Sequence, residues 1–308
     1  MRPSILLSCF LSATASSAAH RHSTCPNQSA SLATMAHHQC SHNHHGHHHH
    51  HHVHSDENSD KTLGEKNKEH FDQVAATIFD TPWVAKLGEQ VSRELRDNFA
   101  WFGVRANSAG SPTKMLDYAC GSGIVSRVGH KSLWALSSDV SVIRGIDISS
   151  GMVTQYNTLA EKAGFSPETM RAVHGDLLDS NATPSAELAT AEFNHFDLAV
   201  MSLALHHVSD VDAMIQSLAD RLAVGGVLVI VDWMSEEAGS DWRFLESDDM
   251  PVRQTVSRMG FSEGALLETF EKAGLSGWGW RAFAEESEVP SKFGGSMRGF
   301  LARGVKGA

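Results

Sequence analysis

The stretch Met115-Leu116-Asp117-Tyr118-Ala119-Cys120-Gly121-Ser122-Gly123-Ile124 decides how this sequence is interpreted. An apolar run ends at Asp117, and a turn that contains Gly121 and Gly123 leads into an amphipathic segment. Glycines in such a turn let a ligand approach the backbone closely, and the start of the following helix supplies free N–H groups. The stretch therefore predicts a strand, a ligand-binding turn and a helix, in that order.

Short apolar runs and amphipathic segments alternate on the C-terminal side of this turn. The apolar runs predict strands at 114–117, 142–147, 170–174, 196–202 and 227–232. The amphipathic segments predict helices near 124–136, 151–163, 212–222 and 263–273. Two last strand-like runs, at 278–284 and 297–305, are expected to form a hairpin-like edge. The alternation predicts an α/β fold, a Rossmann-like, seven-stranded, mostly parallel sheet with helices on both faces.

The N-terminal part of the chain has a different composition. Of the 20 histidines, 14 lie between His20 and His54, whereas all 36 acidic residues lie at or after Asp56. We therefore divide the 308 residues into a disordered His-rich tail (1–55), N-terminal helices that form a cap or lid (56–110) and a core (111–308). A low-complexity tract of this kind is expected to bind transition metals only incidentally, because it has no fixed set of ligands.

Composition excludes several classes of function. The net charge is −11 and Lys and Arg form no run, which disfavours nucleic acid or an anionic membrane as the main partner. The apolar run 5–11 is far shorter than the roughly 20 residues of a membrane span. Cys120 is the one cysteine of the core and no C-x-x-C pair exists, so neither a disulfide scaffold nor a structural zinc site is expected.

The first 34 residues allow three interpretations. They fit a secretory signal, an organellar presequence, or an extension upstream of a start codon at Met35. We favour the start at Met35 and therefore predict a cytoplasmic location, with a mitochondrial or secretory location as the alternatives.

Asp117 narrows the choice of ligand for the glycine turn. A dinucleotide would bring a doubly anionic pyrophosphate to this turn, where a carboxylate usually repels it. A ligand whose near end carries an ammonium and a sulfonium is instead attracted. S-adenosylmethionine is such a ligand.

With these residues the chain resembles the class I S-adenosylmethionine-dependent methyltransferases, in particular the small-molecule branch of the ubiquinone and menaquinone biosynthesis methyltransferases. The resemblance covers roughly 71–306 and includes Gly145-Ile146-Asp147-Ile148-Ser149, His174-Gly175-Asp176-Leu177 and the segments 196–208 and 222–230. It implies that Asp147 holds the ribose hydroxyls and that Asp176 meets the adenine amino group. The cofactor-binding residues that it implies are Asp117, Ala119, Gly121, Gly123, Asp147, Ile148, Met152, Asp176, Leu177 and Ser202. Ala119 departs from the family pattern, because a glycine is common there.

His206 and His207 follow the predicted fourth strand and are the best candidates for a catalytic base. A base is needed only when the acceptor is a hydroxyl, a phenol or an acidic carbon that must lose a proton. The alternative is structural: one ring packs beneath the loop and the other begins the next helix. No catalytic metal is predicted, since only Asp210 and Asp212 offer carboxylates in this loop.

The helix near 71–80 and the segment 233–261 are expected to cover the acceptor. The segment contains Trp233, Trp242, Phe244, Met250 and Met259. Aromatic and methionine side chains suit a small, partly apolar acceptor, although core packing explains most of them individually.

The sequence as a whole predicts an enzyme that transfers a methyl group from S-adenosylmethionine to an unidentified small molecule by in-line displacement. Two alternatives stay open. One is a metal-binding or metal-delivery protein that acts through the His-rich tail, and the other is a nicotinamide-dependent oxidoreductase.

Overall fold

The computed structural model describes residues 61–104, 113–127, 140–179, 186–235, 254–291 and 294–308. Several predicted features lie outside these residues. They are the His-rich tail, the second half of the helix near 124–136, and the side chains of Trp242, Phe244 and Met250. Within the described residues no helix is long and apolar enough to cross a membrane.

The described residues contain nine strands: β1 (Lys114–Tyr118), β2 (Val142–Asp147), β3 (Met170–His174), β4 (Phe196–Ser202), β5 (Leu222–Trp233), β6 (Leu275–Ala282), β7 (Ser287–Glu288), β8 (Ser296–Met297) and β9 (Gly299–Lys306). Seven of them form one sheet in the order β3-β2-β1-β4-β5-β9-β6, and β7 pairs with β8. The first five strands run parallel, whereas β9 is antiparallel to both of its neighbours. The predicted seven-stranded, mostly parallel sheet is confirmed.

The described helices are α1 (Leu63–Val74), α2 (Pro82–Asp97), α3 (Phe99–Phe102), α4 (Ile124–Arg127), α5 (Ser150–Lys162), α6 (Val211–Asp220) and α7 (Glu263–Lys272). Local sequence explains where they begin. Pro82 occupies the first turn of α2, and the side chains of Ser149, Asp210 and Ser262 each accept a hydrogen bond from the first turn of the helix that follows. Short 3₁₀ turns lie at Ile78–Asp80, Ala191–Phe193 and Leu205–His207.

The fifth strand differs from its predicted limits. The sequence predicts a helix up to residue 222 and a strand from 227, but α6 ends at Asp220 and β5 begins at Leu222. Leu222 pairs with Phe196, and the chain passes β4 so closely that a Cβ on Gly226 would lie 2.5 Å from the Phe196 carbonyl oxygen. Glycine therefore permits strand pairing where the sequence pattern indicates a turn.

The last two long strands pair antiparallel as expected, but β9 lies inside the sheet. Val227 of β5 pairs with Val305 and Ala302 of β9 pairs with Trp280, so β6 forms the edge. Alternate strand residues fill two cores. One contains Ile215 and Phe270 from α6 and α7, and the other contains Val91 from α2. Helices on both faces leave the C-terminal ends of β1 to β5 together at one edge, which is where open α/β sheets bind ligands.

Candidate active site

The glycine turn after β1 adopts a left-handed backbone. Gly121 and Gly123 have φ angles of 53° and 89°, and Ala119 has a φ of 54° although it carries a Cβ. Ala119, the departure from the family pattern, thus places a Cβ in a left-handed backbone. The turn also packs tightly on β2, because a Cβ on Gly145 would lie 2.8 Å from the Cys120 sulfur.

Asp117 lies beneath this turn and is 1% exposed. The Ser126 hydroxyl donates to Asp117 Oδ2, and the Tyr156 hydroxyl lies 2.8 Å from Ser126 Oγ. Asp117 Oδ1 is buried and has no hydrogen-bond partner among the described residues. Burial raises the pKa of this carboxyl to about 8. The site therefore contains a buried acid with one free oxygen.

Asp147 ends β2 and connects two backbone segments. Its Oδ2 accepts a hydrogen bond from Gly121 N and its Oδ1 accepts one from Ser149 N, both at 2.8 Å. Burial raises its pKa to about 6, although these two hydrogen bonds act in the opposite direction. A carboxylate has about four acceptor positions. Asp147 therefore orders the glycine turn and keeps capacity for a diol.

The loop after β3 is held by a residue that sequence reasoning did not single out. The hydroxyl of Tyr118 accepts a hydrogen bond from Leu177 N at 3.2 Å and lies 3.4 Å from Asp176 Oδ1. Asp176 Oδ1 also accepts from Leu178 N at 2.9 Å. Helix α1 reaches this loop, since a Cβ on Gly64 would lie 3.8 Å from Asp176 Oδ2. The contact has no sequence signal, because 58 residues separate Tyr118 from Asp176.

Helix α1 is fixed to the start of α5 by Asp72, which sequence reasoning also missed. Asp72 Oδ1 accepts hydrogen bonds from Ser149 Oγ at 2.6 Å and from Gly151 N at 3.0 Å. Burial opposes ionisation, but hydrogen bonds from Gly151, Lys68 and Ser149 hold the pKa of Asp72 well below its usual range. The helix expected near 71–80 thus begins earlier and ends at Val74, and Asp72 anchors it beside Asp147.

His206 lies in the 3₁₀ turn after β4 and faces the end of β5. Its Nδ1 is 2.7 Å from Asp232 Oδ1, and its backbone N donates to Asp232 Oδ2 at 3.2 Å. Asp232 is fully buried and His206 is 9% exposed. The sequence had not linked these two residues, which are 26 positions apart.

His207 has different partners. Its Nδ1 lies 2.6 Å from the Thr255 carbonyl oxygen, so this nitrogen is the donor. Burial lowers the pKa of His207 well below its usual value. From α1, Phe71 meets the imidazole edge-on at 5.4 Å, and Asn67 Nδ2 donates to the His207 carbonyl oxygen at 3.2 Å. Asn67 Oδ1 is buried and has no hydrogen-bond partner among the described residues.

The other predicted site residues lie at the same edge. Ser202 ends β4, Ile148 follows β2, and Met152 is buried in the first turn of α5. Trp233 belongs to the core on one face of the sheet and Phe261 to the core on the other, so the described ends of the segment 233–261 pack as core. No group of three or more metal-binding side chains occurs in the described ranges.

Comparison with known proteins identifies the family to which this chain belongs. A family model described as a methyltransferase domain matches residues 87–278, more than half of the chain. An uncharacterized methyltransferase of Schizosaccharomyces pombe is 29% identical over 167 residues, which cover 54% of each chain. An uncharacterized protein of Haemophilus influenzae is 28% identical over 116 residues, 38% of this chain and 40% of the relative. The chain thus spans about half the length of the curated relatives it matches.

Solved structures share the fold. Magnesium protoporphyrin IX methyltransferase from Synechocystis PCC 6803, with bound S-adenosylmethionine, has a TM-score of 0.52 and 14% identity, covering 80% of this chain and 99% of that one. A candidate sarcosine dimethylglycine methyltransferase from Galdieria sulphuraria has a TM-score of 0.50 and 16% identity, covering 70% and 85%. At these identities the similarity shows the architecture of the sheet and its helices.

Proposed function

This chain belongs to the methyltransferase domain family, and from that premise we propose that it transfers a methyl group from S-adenosylmethionine, its cofactor, to a small-molecule acceptor beside His206 and His207. The observation that carries the proposal is a row of three carboxyl groups at the C-terminal ends of three neighbouring parallel strands: Asp117 in β1, Asp147 at the end of β2 and Asp176 after β3. Carboxylates at this edge suit a ligand with an ammonium group and a ribose.

The residues present fit the cofactor. The free Oδ1 of Asp117 is an acceptor for an ammonium, and the remaining acceptor positions of Asp147 suit the two ribose hydroxyls. Asp176, held by Tyr118, is the acceptor for the adenine amino group. Gly121 and Gly123 have no side chains that would keep a ligand from the backbone.

Bound S-adenosylmethionine supplies a methyl group that its sulfonium has already activated. The work left to the protein is to align the acceptor and to exclude water. Helix α1 contributes to both, because Asp72 anchors it at the start of α5 and Phe71 packs on His207.

A substitution of Asp147 tests the cofactor site. Asp147→Ala should weaken S-adenosylmethionine and S-adenosylhomocysteine equally, because both carry the ribose, and calorimetry measures both affinities. Asp220→Ala, an exposed carboxylate at the end of α6, is the matched control and should change neither. If folded Asp147→Ala protein bound both ligands as the unaltered chain does, the site assignment would be wrong.

A thermal-shift comparison tests the choice of cofactor. Only a ligand that binds the folded state raises the melting temperature by mass action. We expect stabilisation by S-adenosylmethionine and S-adenosylhomocysteine and none by NAD or NADP. Stabilisation by a nicotinamide nucleotide alone would favour the oxidoreductase alternative, which the family match does not support.

A further inference from the structure

We propose that Asp232 is a positioning residue that holds His206 as a neutral proton acceptor, and that the methyl acceptor is accordingly a hydroxyl, a phenol or an acidic carbon that gives its proton to His206. This inference rests on the proposed function. The supporting observation is that the imidazole of His206 pairs with the fully buried carboxylate of Asp232.

Two of the three hydrogen bonds that Asp232 accepts among the described residues come from His206. Oδ1 accepts from His206 Nδ1 at 2.7 Å and from Trp233 N at 2.7 Å, and Oδ2 accepts from His206 N at 3.2 Å. Within the described ranges, His206 is the one side chain that pairs with this carboxylate. A buried carboxylate is costly unless it is paired, and the side chain that pairs with Asp232 here is His206.

The pairing fixes which ring nitrogen carries hydrogen. An ionised carboxylate can only accept, so His206 Nδ1 must be protonated. In the neutral ring the lone pair is then on Nε2, at the far side of the imidazole from Asp232. This is the arrangement by which a buried aspartate orients a histidine base and stabilises the imidazolium that forms.

The backbone around His206 is fixed as well. Its carbonyl oxygen accepts hydrogen bonds from Ser257 N at 2.8 Å and from Ser257 Oγ at 3.0 Å. Leu203, three residues earlier, has a φ of 51°, which is rare for a residue with a branched side chain. The turn is thus held from the segment after residue 253 and from β5, and the imidazole has little freedom to reorient.

His207 lacks the features of a base. Its Nδ1 is occupied by the Thr255 carbonyl, which cannot stabilise a positive charge as a carboxylate can. The two imidazole rings are 4.2 Å apart, so a charge on His206 disfavours a second charge on His207. The charged or titratable groups around the pair are Asp232 from β5, His70 from α1 and Arg258 from the segment at 254–261.

Proton transfer to His206 accompanies methyl transfer to the acceptor. The acceptor O–H or C–H gives its proton to His206 Nε2, while the electron pair left on that oxygen or carbon forms the bond to the methyl carbon and the electron pair of the carbon–sulfur bond stays on sulfur. The sulfonium charge is lost and the new positive charge lies on His206, next to Asp232. The imidazolium returns its proton to water after product release.

Nitrogen NMR of the full chain with ¹⁵N-labelled histidine tests the pairing without any acceptor. The ¹⁵N signals of the His206 ring are those that are missing from the spectrum of His206→Gln. We expect Nδ1 protonated and Nε2 bare in the unaltered chain near pH 7.5, and a changed tautomer in Asp232→Asn. Asp220→Asn, an exposed carboxylate on α6, should leave the signals unchanged. Hydrogen on Nε2 in the unaltered chain, or an unchanged tautomer in Asp232→Asn, would overturn the proposal. If Asp232→Asn does not fold, the unaltered chain alone decides.

The second test measures turnover. Its probe is methyl-labelled S-adenosylmethionine together with a metabolite extract. Asp232→Asn should lower product formation by roughly 10²-fold or more, with cofactor affinity within about twofold and the rise of rate with pH displaced. Adding His206→Gln should cause little further loss, since the two residues act as one unit. Additive losses with an unchanged pH profile would contradict the positioning role. No labelled product from the unaltered chain would count against the proposed function itself, whereas an active Asp232→Asn would count against this inference alone.

The labelled product tests the acceptor class. A methyl ether is stable in alkali, whereas a methyl ester releases labelled methanol and a methylated amine is retained by a cation exchanger. A methyl group on carbon is stable in alkali as well and is not retained by the exchanger. We expect an ether or a C-methylated product. Label that is found only in esters or amines would overturn the assignment of an acceptor that must lose a proton.

Discussion

Asp117 is a buried acid, and one of its oxygens has no hydrogen-bond partner in the part of the chain that the structure describes. Its ionisation couples stability to pH. Burial raises its pKa from 3.8 to about 8, so the folded state binds a proton that the unfolded state releases. The stability that this proton contributes is complete below about pH 4 and is lost as the pH rises towards 8. An ammonium beside Oδ1 favours the ionised form, so cofactor binding near pH 7 should release a proton.

Asp117→Asn separates these two effects. The amide cannot ionise, so the cofactor-free variant should lose less stability than the unaltered chain between pH 5.5 and 8.5. The variant should also bind S-adenosylmethionine more weakly by about 1.5 to 3 kcal/mol, the range for a hydrogen bond to a charged group. Thermal unfolding and calorimetry measure the two quantities. A pH dependence equal to that of the unaltered chain would show that Asp117 is ionised in the folded state.

Ala119 has a left-handed backbone, which is strained for alanine and not for glycine. A left-handed backbone costs an L-residue about 1 to 2 kcal/mol, whereas glycine loses about 0.5 to 1 kcal/mol more chain entropy than alanine. Ala119→Gly should therefore raise the free energy of unfolding by about 0.5 to 1 kcal/mol in urea titration. Ala163, at the end of α5, has a φ of −82°, so Ala163→Gly should lower it. A loss of stability in both variants would contradict the argument.

Among the elements, α1 is joined to the start of α5 by hydrogen bonds to one side chain, that of Asp72. Asp72 accepts hydrogen bonds from Ser149 Oγ and Gly151 N at the positive end of the α5 dipole. Its ion pair with Lys68 lies within α1. Its pKa is lowered, so the stability it contributes is lost only as the pH falls below the usual range of a carboxyl. The contribution of Asp72 to the docking of α1 should therefore not vary between pH 5 and 8, in contrast to the contribution of Asp117.

Asp72→Ala should loosen α1. Loss of the two hydrogen bonds to α5 should lower the free energy of unfolding by about 1 to 3 kcal/mol and speed amide exchange in residues 63–74. Cofactor affinity should fall as well, because α1 lies against Asp176. Lys68→Gln removes only the half-buried ion pair with Asp72 and should cost less than about 1 kcal/mol. Equal exchange rates in Asp72→Ala and the unaltered chain would show that other contacts hold the helix.

At the scale of the whole molecule, Met1–His54 and Ser55–Ala308 form separate units. Deletion of residues 1–54 should leave the melting temperature and the affinity for S-adenosylhomocysteine unchanged, because the carboxyl groups and the glycine turn belong to the second unit. Affinity for nickel or zinc should fall strongly, since 14 histidines are removed. Calorimetry with each ligand measures both. Loss of cofactor binding would instead favour a function that involves the tail.

The sequence by itself determined the elements and the edge at which the site forms. Strand alternation, the Gly121 and Gly123 turn, Pro82 and the cap Ser262 act over a few residues, where hydrogen-bond geometry and side-chain period are local. The acids near the ends of β1, β2 and β3 follow from the same pattern, because parallel strands end at a common edge. The fold and this arrangement were therefore predictable.

Only the tertiary structure decided which side chains meet. The insertion of β9 beside β5, the clamp of Tyr118 on Leu177, the anchor of Asp72 on α5 and the pairing of His206 with Asp232 join residues far apart in the chain. Such contacts depend on strand order and on the packing of α1, and neither leaves a periodic signal in the sequence. The physical reason is that local spacing sets the direction of a strand or helix, whereas the partner of a buried polar group is whatever the assembled sheet brings within hydrogen-bond distance.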